Sequence, residues 1–173
     1  MNKPGPVIAI LLLSAWASHA QTPLPADAQI KLERTTDAFG NGTNYTVTIS
    51  ADGTAVFEWF ANPSLTVSDP RSLARKTIRT TIPVEKVGAL VAEVERIKYF
   101  LLKDRYFTLE DGCPNRWTDN SWAITSITIG GKSKTIAHYQ GCRFEPFGPA
   151  YPLELTAFEK KIDGVIETNR WLK

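Results

Sequence analysis

Three side chains could do chemistry by type and spacing: Cys113, Cys142 and His138. His138 is the only histidine after residue 20, so it is the natural candidate for a general base near neutral pH. Ser126, Ser133, Asp119 and Glu145 are the partners it could recruit. No Gly-x-Ser-x-Gly elbow and no His-Glu-x-x-His helix accompanies it. A hydrolase working through His138 is therefore the weaker reading. The stronger one is a histidine whose ring spans a sheet and bonds a loop backbone. His138 also precedes Cys142 at a ligand-like spacing, with Cys113 and Asp119 as further donors for zinc. That set is thin, so no metal and no cofactor is expected. The absence of a Cys-x-x-Cys motif argues against redox catalysis.

The chemistry of the cysteine pair depends on compartment, and the first twenty residues speak to that. Lys3 is followed by an apolar run from Val7 to Ala17 and by Ser18-His19-Ala20, a small-x-small cleavage pattern. This is the layout of a secretory signal peptide, cleaved near Ala20. The apolar run is shorter than the about 20 residues a membrane span needs, so no stable membrane insertion is expected after cleavage. Export places the protein in the periplasm or outside the cell. In an oxidising compartment an isolated cysteine pair forms a disulfide. Cys113 and Cys142 would close a loop of about 30 residues, worth roughly 3–4 kcal/mol in the chain-entropy model.

Charge adds little. The whole chain carries a net +2, and Lys3 leaves with the signal peptide. Arg71, Arg75, Lys76 and Arg79 form a local basic cluster, read as solvated positions on a loop and an edge strand. An exported, nearly neutral domain is not expected to bind nucleic acid.

These residues must be positioned by a regular frame. Residues 21–28 hold two prolines and read as a loose leader. Ile30 to Thr35 is a short strand. Tyr45, Val47 and Ile49 alternate with Thr46, Thr48 and Ser50, the period of a strand with one buried face. Asp52-Gly53 signals a hairpin into Thr54 to Phe60. Residues 61–71 form a loop, and Lys76 to Ile82 is a further strand. Pro83 opens a helix whose stripe is Val84, Val87, Leu90, Val91, Val94 and Ile97. Trp122 to Ile129 and Lys132 to Tyr139 form a second hairpin around Gly130-Gly131, with a phase change between Ile124 and Ile127 that suggests a bulge. A final helix spans about Ala150 to Thr168, with Pro152 in its first turn. The order lacks βαβ alternation. It predicts one α+β domain over 29–173: a mainly antiparallel sheet of about six strands with two helices packed on one face.

Several stretches resemble a bacterial exported family known as domain of unknown function 6438. They are Leu32-Glu33-Arg34-Thr35, Phe39-Gly40, Tyr45 to Ile49 and Asp52-Gly53-Thr54, then Tyr99-Phe100, Asp104 and Tyr106. Trp117-Thr118-Asp119, Gly131 to Lys134, His138-Tyr139, Gly141-Cys142, Leu155, Glu159, Ile162-Asp163 and Arg170-Trp171 continue the likeness over nearly all of the mature chain. The family's Cys-Phe-Gly-x-Cys-Pro signature is replaced here by Ala38 to Thr43, without either cysteine. The resemblance implies a compact exported domain and supplies no activity.

The remaining functional signal is aromatic. Trp59, Phe60, Trp117 and Trp122 are binding-surface candidates, and Trp117 is the one hardest to place in a core by pattern. Asp119 reads as a turn-capping residue. Trp117, Asp119, His138 and Tyr139 are the candidate binding residues. The expected function is a non-catalytic module that binds a protein or a cell-envelope component. A secreted enzyme inhibitor, using 61–71 or Glu110 to Asp119, is the alternative.

Overall fold

The computed structural model describes residues 23–35, 44–60 and 75–171. The expected signal peptide, the positions replacing the family's cysteine signature and the 61–71 loop lie outside these residues.

The described chain runs β1 (Gln29–Thr35), β2 (Tyr45–Ser50), β3 (Thr54–Phe60), β4 (Arg75–Thr81), α1 (Val84–Arg96), a 3-10 turn (Tyr99–Leu101), β5 (Arg105–Tyr106), β6 (Trp122–Ile129), β7 (Lys132–Tyr139), α2 (Leu153–Ile166) and a short α3 (Thr168–Trp171). The strands form one seven-stranded sheet in the order β4-β3-β2-β1-β6-β7-β5. Every pairing is antiparallel except β5 with β7. The chain lays down β1 to β4 as a meander on one side of β1. α1 then carries it from the β4 edge towards the opposite edge, where β5 starts the second half. This is the α+β architecture expected from the order of elements, with a seventh strand of only two residues.

Alternation builds the core. Ile30, Leu32, Val47, Ile49, Ala55, Phe57, Ala123, Ile127 and Ile136 point to one face and are buried. Val87, Leu90, Val91 and Val94 of α1 join the same cluster, as do Leu155, Phe158, Ile162 and Ile166 of α2. The opposite face stays open. It carries hydroxyl pairs across strands, Ser126 with Thr135 and Thr128 with Ser133, each at 2.9 Å.

Local signals account for the turns. Gly53 has φ 84°, and a Cβ there would run into the Ile82 carbonyl, so only glycine fits. Asp52 accepts the Thr54 amide at 2.8 Å, closing the β2–β3 turn. Pro83 precedes the first turn of α1, where its missing N–H costs nothing.

Three expectations need correction. β6 has no bulge: its register with β1 and β7 is continuous, because Thr125 takes the inward position between Ala123 and Ile127. The last helix begins at Leu153, not Ala150, and Pro152 is its cap instead of part of its first turn. β5 was hidden by its length.

Candidate functional site

His138 sits at the end of a row of inward-facing residues. Arg34 of β1 lies opposite Tyr45 of β2 and opposite Ala123 of β6, and Ala123 lies opposite His138 of β7. α2 crosses this row and presents Glu159 and Asp163, four residues apart and so on one helical face. Asp163 accepts from Arg34 Nη2 at 2.8 Å and from the Tyr45 hydroxyl at 2.7 Å. Glu159 lies 3.5 Å from Arg34 Nη1, and its other oxygen is 2.9 Å from His138 Nδ1. Gln140 Nε2 adds a bond to Glu159 at 3.3 Å.

The electrostatics hold the row together. Burial alone would lower the Arg34 pKa, but Asp163 and Glu159 more than reverse this and raise it, so the guanidinium stays charged. Burial, and then Asp163, push the Tyr45 phenol well above its ordinary value, so it remains a donor. His138 Nδ1 thus has Glu159 as its partner at 2.9 Å, with Gln140 Nε2 3.3 Å away. His138 Nε2 is buried with no hydrogen-bond partner among the described residues.

This geometry bears on the enzyme reading. The side chains of His138 and Glu159 are both 0% exposed. A general base must come within hydrogen-bond reach of a substrate proton. A surface cavity of about 320 Å³ lies beside the row, lined by Tyr45, Lys160, Asp163, Gly164, Glu167 and Thr168, and His138 is not among its walls. The expected partners of His138 do not reach it. Ser126 and Ser133 face the open side of the sheet, and Asp119 and Glu145 make no bond to it. The ring bonds a helix carboxylate and not a loop backbone. Glu159 was the residue missed. A signal existed: Glu159 falls on the Leu155, Ile162, Ile166 stripe of α2, where a carboxylate has no solvent to face.

The second region is a corner of loops. Cys113 and Cys142 are joined, with Cα atoms 5.3 Å apart. That consumes two of the donors a zinc site would have needed. The loops on either side of the crosslink are laced by backbone bonds. Trp117 N–H donates to Gly141 at 2.8 Å, Arg143 N–H to Asn115 at 3.0 Å. The Tyr139 hydroxyl donates to the Trp117 carbonyl at 2.8 Å and accepts the Asn120 amide at 3.2 Å. Arg143 reaches Asn120 Oδ1 at 2.6 Å. Gly141 is obligatory, because a Cβ would meet the Trp117 carbonyl and the Tyr139 ring.

The corner gathers four of the large apolar side chains that the described residues expose. Leu109 is 80% exposed, Phe147 99%, Phe144 59% and Trp117 39%. In the same corner Phe107, Trp122 and Tyr139 form an aromatic cluster with centroids 5.1–5.3 Å apart, while the Phe144 ring packs edge-on against Tyr151 at 5.3 Å. A cavity of about 370 Å³ opens among Phe107, Leu109, Cys113, Pro114 and Arg116. The Arg116 guanidinium lies over Phe107 at 4.8 Å.

The four candidate binding residues are therefore split. Trp117, Asp119 and Tyr139 meet at the corner. His138 lies on the other face of the sheet from Tyr139, as strand alternation requires. Asp119 does not cap the turn. It takes a left-handed conformation at φ 60°, and Asn120 does the capping, donating to the Thr118 carbonyl at 2.7 Å.

A family model described as a domain of unknown function matches residues 28–166. The match runs from the residue before β1 to the end of α2 and includes both regions. No curated protein matches the chain.

Proposed function

The chain belongs to the DUF6438 family, and from that premise we propose that it is an exported, non-catalytic module that binds a protein or envelope component through its cysteine-stapled corner. One observation carries this reading: Leu109, Trp117, Phe144 and Phe147 are exposed on two loops held by a disulfide. Exposed apolar surface normally carries a cost, and clusters of it mark interaction sites. Holding the loops in place before binding reduces the ordering entropy a partner must overcome. The crosslink also supports an oxidising compartment, periplasmic or extracellular. The sealed His138–Glu159 pair supports a structural role for the histidine over a hydrolytic one.

Two experiments test this. N-terminal sequencing of the protein recovered from outside the cytoplasm should read Gln21 first; an intact Met1 on exported protein, or retention in the cytoplasm, overturns the export. Immobilised protein should retain a specific partner from envelope extract, and Leu109→Ser with Phe147→Ser should lose it while melting unchanged. Equal retention by the variant removes the corner from the proposal. A turnover abolished by His138→Ala in a folded variant would replace the proposal with the hydrolase reading. An inhibitor reading is favoured by the pinning of the 110–119 loop at Cys113, and predicts that the retained partner is an enzyme whose activity falls on binding.

A further inference from the structure

β4 is the outer strand of the sheet on the side away from β5. Its residues are Arg75, Lys76, Thr77, Ile78, Arg79, Thr80 and Thr81, with three cations and no acid. Ile82, just after it, donates its N–H to Gly53 at 2.9 Å, and Thr81 lies opposite Thr54. In an antiparallel ladder alternate residues bond the same neighbour. Ile78 and Thr80 therefore turn their peptide groups towards β3, and Thr77, Arg79 and Thr81 turn theirs outward. No described strand receives them. All three are exposed.

The charges of this edge are unevenly neutralised. Arg75 pairs with Glu58 at 2.5 Å. Lys76 lies 5.9 Å from the centre of the Trp59 ring, a contact that leaves its charge in place. Arg79 has no ion pair among the described residues. The chain as a whole is nearly neutral, so this is a local concentration of positive charge.

We propose that β4 is a docking edge for an extended, acidic segment of a partner protein, which joins the sheet as an additional antiparallel or parallel strand. Main-chain bonds to Thr77, Arg79 and Thr81 supply affinity that does not depend on sequence, and side-chain positions supply specificity. On the open face, carboxylates of the added strand fall beside Arg79. On the helix face, β-branched residues of the added strand cover half-buried Ile78 and lie along the Lys76 stem. Charge argues against a second copy as the occupant, because pairing two β4 strands would double the cations in one ribbon. Basic side chains on an edge repel copies of the same chain while leaving it open to an acidic one. This surface is distinct from the stapled corner, and either can fail without the other.

The probe is a capped peptide alternating glutamate with valine, titrated into the intact protein with amide hydrogen exchange as the readout. The Thr77, Arg79 and Thr81 amides should exchange fast in the free protein and slow on addition of the peptide. Arg79→Glu should weaken binding at least about tenfold through like-charge contact. A version of the peptide N-methylated at alternate residues, and one with lysine for glutamate, should not bind. Protection of those amides in the free protein would show the edge already covered and overturn the proposal. Protection that rises with protein concentration alone would assign the edge to a second copy and do the same. Equal binding of the N-methylated peptide would reduce the effect to charge and also overturn it.

Discussion

The row beneath α2 and the corner joined by Cys113–Cys142 both gather polar and aromatic side chains, and they differ in what can reach them. In the row, five side chains from β1, β2, β7 and α2 are linked in one network: Arg34, Tyr45, His138, Glu159 and Asp163. Regular elements place each of them, and the ends of the network that matter for acid–base chemistry are sealed. In the corner, irregular loops are held by one covalent bond and a lace of backbone contacts, and large apolar side chains project outward. Residue type alone would assign chemistry to the row and structure to the corner. Accessibility reverses that assignment. A titratable residue becomes a functional candidate only when a substrate can approach it, whereas exposed Leu and Phe on a preorganised loop need a reason to be there.

The largest effect expected from breaking this contrast comes from Glu159→Ala. It strips the partner from a buried His138 and removes one of the two carboxylates holding Arg34, a loss of about 3–5 kcal/mol for a broken buried pair. Chemical denaturation reads it directly. Retention of a corner-binding partner should persist under conditions where the variant is still folded. A cost below about 1 kcal/mol would mean that the row is not the structural clamp described, and loss of an activity at unchanged stability would return His138 to a catalytic role. Next in size is Cys113→Ser with Cys142→Ser. It should destabilise by about 2–4 kcal/mol and speed amide exchange around Asn115, Trp117 and Arg143 while leaving β1 and α2 protected. Uniform loosening of both regions would erase the distinction between them. Tyr45→Phe is smaller. It removes a hydrogen bond to a charged acceptor in a partly buried site, about 1.5 kcal/mol, and should leave the corner's exchange untouched.

How far these regions were legible in the sequence follows from their construction. β1, β2, β3, β6 and β7 were visible because a buried face forces period-two alternation, and α1 and α2 because their stripes recur at helical spacing. β5 has two residues, too few for any period. Its place beside β7 is set by pairing at Arg105 and Tyr106 and by the bond from Ala137 N–H to the Asp104 carbonyl at 2.9 Å. The apparent slip in β6 came from counting Thr125 as polar, when it is fully buried. In the row, His138 was visible as a lone titratable residue, but its partner was not. Charged residues on a helix are read as the solvent face; the position of Glu159 on the apolar stripe of α2 was the one signal against that reading, and the three-dimensional row containing Arg34 is what explains it. In the corner, the crosslink followed from compartment and count. The exposure of Phe144 and Phe147 did not, because aromatics are assigned to cores by default.

The smallest expected effect probes the corner's edge through pH. Asp111 accepts from Arg105 Nε at 2.8 Å and from the Thr108 amide at 3.2 Å. The Arg105 bond, with help from Thr108, holds the Asp111 pKa below its ordinary carboxylate value, against a smaller opposing effect of desolvation. A carboxyl whose folded pKa is depressed stabilises the native state fully above its unfolded pKa, about 3.9. That contribution is lost as pH falls through the folded value, because the unfolded chain then takes up the proton first. The group lies at the surface and is partly exposed, so the loss should be slight and should shrink further in salt. Melting temperature followed downward from pH 6 should therefore fall a little more steeply in the native protein than in Asp111→Asn, with the two curves converging at the acid end. The carboxylates Glu159 and Asp163 are present in both proteins and cancel in the difference. A difference between the curves that instead persists undiminished to the acid end and is insensitive to salt would mean that Asp111 holds the loop through hydrogen bonds that do not depend on its charge, and the 107–113 loop would then owe its position to this residue as much as to the crosslink.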